Sequence, residues 1–341
     1  MAAAMRWKDI EADSGHWLGL QVEVAGGVNP RAARKPQIRL ETCFPHRIKL
    51  VQGPISLLWA TVCENHYGVR ILKSMEAFTP TIPPRALDSA QIEQISALDK
   101  SRRLPAWSRF FAQTLATASA ASFLYPGLWC FQAAPSQNGQ WSFGTERQDS
   151  GLLGSWHIGG VQQALYKEAT NTVSWGFHSN DELICLRPPV PADDGRLKWW
   201  RKKVREQTLP PILVWYLSCL DAYVLIDGHC RLQACVMENQ PPDFLVAFSA
   251  QKETVQHEAV VQEQVIASLH RPQIAPHRRL STEAANAVLI KAFDDRPLLI
   301  PTTRGWISFS SERQWLGEVN AKLKALGRAD AFQDFADRSP L

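Results

Sequence analysis

The stretch VLIDGHCRLQAC, residues 224–235, decides how this chain is read. Val224, Leu225 and Ile226 end an apolar run of strand character. Asp227 and Gly228 break it, His229, Cys230 and Arg231 follow at once, and an apolar pattern resumes at Leu232. Glycine reaches φ values closed to other residues, so Gly228 lets the chain turn. A helix opening at about Cys230 points its first amides at solvent, and its dipole favours an anion there. Arg231 adds a permanent, bidentate cation in the first turn. Asp227 is placed to accept a proton or hold Mg²⁺, and His229 to donate to a phosphate oxygen. One reading is therefore a compact anion site beside a base. The other is structural: Asp227 caps the helix, Arg231 pairs with a surface acid, and His229 is a satisfied loop residue.

The flanks bear on that choice. LRPPVPADDGRLKWW precedes a strand PILVWYL, a short turn SCLD, the strand DAYVLI, the DGHCR turn, a helix and a last strand PPDFLVAF. In this order the segment resembles the ParB/sulfiredoxin-like superfamily over about residues 181–250. DGHCR is close to the DGHHR form of the free-serine kinase branch and further from the GERR form of the chromosome-partitioning CTPases. The resemblance implies a nucleotide phosphate cradled by Gly228, His229, Cys230 and Arg231, with ATP or another nucleoside triphosphate and Mg²⁺ as cofactors. It implies that Asp227 assists deprotonation of an acceptor hydroxyl. An acid is also expected shortly after the P-V-P segment, and Asp193 and Asp194 are the candidates. A shorter side chain than the family's glutamate stands there, and Asp193-Asp194-Gly195 equally reads as a helix cap.

Cys230 occupies the second-histidine place of DGHHR. Sulfiredoxins put Cys before His, whereas His229 precedes Cys230 here, so the order is inverted. A helix N-terminus and Arg231 would lower the pKa of this thiol, whereas burial would make it inert.

Bulk properties set the frame. A chain of 341 residues is long for one core. Hydrophobic content of 45% and charged content of 21% describe an ordinary globular chain rather than a disordered one. A net charge of +4 is too mild to argue a nucleic-acid surface. No apolar run approaches the roughly 18 residues of a membrane span, and no secretory leader is visible. The seven cysteines lack a CxxC pair and mostly sit in apolar runs, which suits reduced thiols in a cytoplasm. The thirteen tryptophans are scattered, which argues for a Trp-rich core.

The expected fold class is α+β. Strand-like segments fill 17–74, helices are expected near 88–98 and 105–123, and LWCFQAAPSQNGQWSF (128–143) has the form of a hairpin. Boundaries are expected at 150 and 250: a β-rich part (1–150), a ParB/sulfiredoxin-like nucleotide-binding unit (151–250) and a mainly helical C-terminal region (251–341). No Walker, HExxH or GxSxG motif is present. A helix-turn-helix within 257–293 requires too long a loop with two prolines. The expected function is a kinase-like phosphotransferase acting on a small hydroxyl-bearing acceptor. The alternative is a nucleotide-gated binding or regulatory protein without useful turnover, one version of it DNA-associated as in the ParB-type CTPases of the superfamily that residues 181–250 resemble.

Overall fold

The computed structural model of the chain describes residues 5–12, 15–26, 35–75, 87–117, 123–134, 158, 161–175, 182–253, 259–269, 281–293, 298–307 and 311–340. The fold is α+β. One sheet holds β1 (Met5–Glu11), β2 (Trp17–Val24), β7 (Gly127–Ala134), β9 (Leu183–Ile184), β10 (Ile212–Leu217), β11 (Ala222–Asp227) and β12 (Phe244–Glu253), in the order β1-β2-β7-β12-β10-β11-β9, with β13 (Leu298–Thr302) paired to β12. The second sheet runs β14 (Gly305–Ile307), β3 (Ile38–Cys43), β4 (Arg47–Gln52), β5 (Ile55–Val62), β6 (Gly68–Lys73), β8 (Thr170–Ser174). The helices are α1 (Ser89–Ser96), α2 (Lys100–Thr117), α3 (Val161–Ala164), α4 (Gly195–Arg205), α5 (His229–Met237), α6 (Ala259–Leu269), α7 (Thr282–Phe293), α8 (Glu312–Ala325) and α9 (Phe332–Ala336).

The strands nearest the DGHCR turn are almost continuously apolar up to Asp227 of β11 and Phe248 of β12, because both faces of their sheet are covered there. Side chains alternate across a strand. Leu213, Trp215 and Leu217 of β10 enter one core with Val224 and Ile226 of β11 and Leu245 and Ala247 of β12. Ile212, Val214, Tyr223, Leu225, Phe244, Val246 and Phe248 enter the other. The tryptophans bear out the core reading: Trp129, Trp200 and Trp215 are fully buried, and Phe123 stacks on Trp215 at 4.8 Å between ring centroids.

The expected boundaries do not divide the sheets. The residues around 150 lie outside those described, but β7 from the first part pairs antiparallel with β12 from Phe244↔Ala134 to Ala250↔Leu128. Residue 250 itself falls inside β12. The C-terminal part is also less purely helical than its composition suggests. β13 joins the first sheet and β14 the second, so the chain crosses between sheets at Thr303 and Arg304. The helix expected at 105–123 opens earlier, at Lys100, with Pro105 inside it. The turn and second arm of the hairpin expected at 128–143 lie outside the described residues, as does the loop between α6 and α7.

Trp315, Val319, Leu323 and Phe335 of α8 and α9 pack on Trp59 and Leu72 of the second sheet. All seven cysteines are free. Among the described residues no helix is long and apolar enough to cross a membrane.

Candidate functional site

The DGHCR element splits into an inward half and an outward half. β11 ends at Asp227, and Gly228 takes φ 109°, the left-handed region. A Cβ there would come within 3.0 Å of Arg231 Nη2 and 3.2 Å of its Cζ, so both the conformation and the space demand glycine. Side chains in a helix lean back toward its N-terminus, which sends Arg231 under Gly228. Its Nη2 meets Asp227 Oδ2 at 2.7 Å and donates to the Pro211 carbonyl at 3.1 Å. The guanidinium lies 5.3 Å from the Trp200 ring centroid, a cation–π contact with α4. Arg231 is only 2% exposed.

This corrects two expectations. Arg231 is not a surface cation facing phosphates: it is buried, with Nη2 held by two acceptors and the guanidinium against an aromatic face on the inner side. Asp227 is not an open carboxylate: its Oδ2 is held by Arg231. Together the two side chains lock the strand end, the start of β10 and α4 to one another.

The outward half is different. His229 and Cys230 line a cleft of about 330 Å³ together with Met75, Leu165, Arg187 and the segment Pro188–Pro191. Gln233 fixes that segment against α5. Its Nε2 donates to the Val190 carbonyl at 2.7 Å, and its Oε1 accepts from the Val190 amide at 2.9 Å. Arg187 is half-buried and makes no ion pair among the described residues. Sequence reasoning missed it, although it is the lone cation of LRPPVP, three residues after the end of β9. Neither Asp227 nor Asp194 lines the cleft. Asp194 Oδ1 accepts from the Leu197 amide at 2.9 Å and caps α4, as the capping alternative expected, while Asp193 is exposed.

Electrostatics follow this geometry. Burial and then the nearby Arg187 push the His229 imidazole down to about 3, against the opposing pull of Asp227. His229 is therefore neutral at pH 7 and donates through one ring N–H. Burial also raises the Cys230 thiol, and Arg196, Arg187 and Arg231 do not reverse it. That leaves Cys230 a thiol rather than the activated thiolate of a nucleophile.

A folded-state histidine pKa below the unfolded value of 6.5 stabilises the fold above pH 6.5, and that stability is lost as pH falls toward 3. Unfolded chains bind the proton over that window and folded ones do not. His229→Gln is expected to remove a stability slope approaching about 1.4 kcal/mol per pH unit in this window. Urea unfolding of wild type and variant at pH 7, 6 and 5 measures the difference.

The residues fit a phosphate better than a metal. Arg187, the His229 N–H and the first amides of α5 are all donors. Mg²⁺ bound with phosphates uses one or two carboxylates. Asp227, the residue expected to supply one, is engaged by Arg231 and set away from the cleft. Among the described residues no cluster of three or more His, Cys, Asp or Glu is arranged to hold a metal. No protein-family model, curated protein or solved structure matches this chain.

Proposed function

We propose that this is a nucleotide-binding protein in which the Arg187–Pro191/His229–Cys230 cleft takes the phosphates, and that binding rather than turnover is its primary role. The observation carrying this is the convergence of Arg187, His229 and the opening of α5 in one cleft, with no carboxylate among the described residues of its wall. The likeness of 181–250 to the ParB/sulfiredoxin-like superfamily supports a nucleotide as the phosphate bearer. The wall draws on three separated stretches. Met75 follows β6 of the second sheet, Leu165 follows α3, and the rest belongs to the β9–α5 region. A ligand bridging them stabilises their packing, which is how a nucleotide gates an arrangement.

The kinase-like reading, phosphoryl transfer to a small hydroxyl acceptor, draws on the DGHHR likeness. It needs a base at the cleft. Asp227 and Asp194 are both committed elsewhere, and a His229 held at about 3 is a weak base at neutral pH.

Thermal unfolding with ATP, CTP, GTP and UTP, alongside assays of phosphate release and transfer, separates the readings. A ligand at about 100 times its Kd adds about 2.7 kcal/mol to the native state. At least one nucleotide is expected to raise the midpoint without being consumed. Catalytic consumption would restore the phosphotransferase reading, and no shift with any of the four would refute both.

A further inference from the structure

A second groove lies at the opposite end of β12 from the cleft. Leu245, near the start of β12, pairs with Leu213, which in turn pairs with Asp227 beside the DGHCR turn. The groove instead involves Gln251 and Lys252, late in β12, with Gln21 and Glu23 of β2, Gly127 of β7, and Arg304. Its volume is about 630 Å³.

Arg304 stands at the crossing between the two sheets, and that crossing is tightly pinned. The Arg304 amide donates to the Tyr125 hydroxyl at 3.0 Å. The Tyr125 hydroxyl bonds Ser249 Oγ, and Ser249 Oγ donates to the Thr302 carbonyl at 2.5 Å. Each group in this buried chain polarises the next. On the other side, Ser218 bonds Thr303 Oγ1 through both its amide and its hydroxyl, at 2.8 and 3.0 Å. The Arg304 guanidinium lies 5.3 Å from the Trp306 ring centroid, and Trp306 meets Tyr125 edge to face at 5.4 Å. The backbone amide and the guanidinium face of this arginine thus both have partners.

Its charge is not spent. Among the described residues no carboxylate pairs with Arg304 or with Lys252. An anchored guanidinium in a groove of mixed polar and apolar lining, with an ammonium on the same wall, presents a preorganised fork for an oxyanion. Glu23 of β2 stands two strands away from Lys252, on the order of 10 Å across the sheet, so its carboxylate is available on the opposite wall.

We infer that this groove is a second ligand site, independent of the cleft, which takes a small molecule bearing a carboxylate or phosphate held by Arg304 and Lys252. Isothermal titration of the full chain with inorganic phosphate, succinate and L-glutamate tests it. At least one probe is expected to bind saturably. Binding of phosphate alone marks a phosphate ligand, succinate with glutamate marks a carboxylate, and glutamate alone marks a carboxylate with an ammonium for Glu23.

Arg304→Gln is expected to weaken that binding by about tenfold or more, and Lys252→Gln by a smaller factor, with unfolding midpoints unchanged because both side chains are exposed. Arg187→Ala is expected to leave it intact, so failure here and failure of the nucleotide reading are separately visible. Absence of saturable binding by all three probes, or equal binding by Arg304→Gln, overturns the inference.

Discussion

Arg231→Ala is expected to destabilise the protein by about 3–5 kcal/mol, the usual cost of removing one partner of a buried ion pair. The substitution leaves the Asp227 carboxylate, whose side chain is 13% exposed, without its cation, and the Pro211 carbonyl without its donor. It also empties the space between Gly228 and Trp200. Arg231→Lys restores charge but neither the second hydrogen bond nor the flat stack, so only partial recovery is expected. Urea unfolding measures both variants. A fully stable Arg231→Ala protein would show that the inward lock contributes little and would reopen Arg231 as a ligand residue.

Arg47→Ala is expected to release the C-terminal helices with a loss of about 3–5 kcal/mol, because it leaves Thr61 Oγ1 and the Phe335 and Ala336 carbonyls without their donor at roughly 1–3 kcal/mol each. Arg47 is 2% exposed and gathers contacts from both ends of the docked segment. Its Nη2 binds Glu312 Oε1 at 2.8 Å and the Ala336 carbonyl at 2.8 Å. Its Nη1 binds Thr61 Oγ1 at 2.8 Å and the Phe335 carbonyl at 2.7 Å, and the guanidinium stacks 5.0 Å from the Trp315 ring centroid. Losing that hub frees α8 and α9 from Trp59 and Leu72. Hydrogen exchange is expected to rise selectively over 311–340. Unchanged protection there would mean that the apolar contacts alone hold the segment.

The local elements were largely legible, because continuous apolar runs such as ILVWYL and AYVLI have few alternatives to buried strands. Asp194 was readable as a helix cap, since a cap is set by residues within one turn. Sheet order was not legible. Nothing local in 127–134 tells that it pairs with a strand more than a hundred residues later. The same limit divided the DGHCR reading. The turn and the helix could be foreseen, but the direction of Arg231 depends on Trp200 and on the carbonyl of Pro211, both remote from the motif. A long side chain with an aliphatic stem suits either side of the helix start, so sequence alone left both alternatives open. Arg187 escaped notice because its importance arises only when Gln233 folds the proline segment against α5.

The division of this element into an inner lock and an outer ligand wall is tested most directly by nucleotide affinity in Arg187→Ala, with the four nucleoside triphosphates titrated calorimetrically into wild type and variant. Loss of one charge-assisted hydrogen bond corresponds to about ten- to hundredfold in Kd. The expected result is a folded Arg187→Ala protein with a near-wild-type unfolding midpoint and an affinity reduced by that factor for whichever nucleotide the wild type binds. Wild-type affinity in Arg187→Ala, or no binding of any nucleotide to the wild type, would contradict the assignment of the cleft.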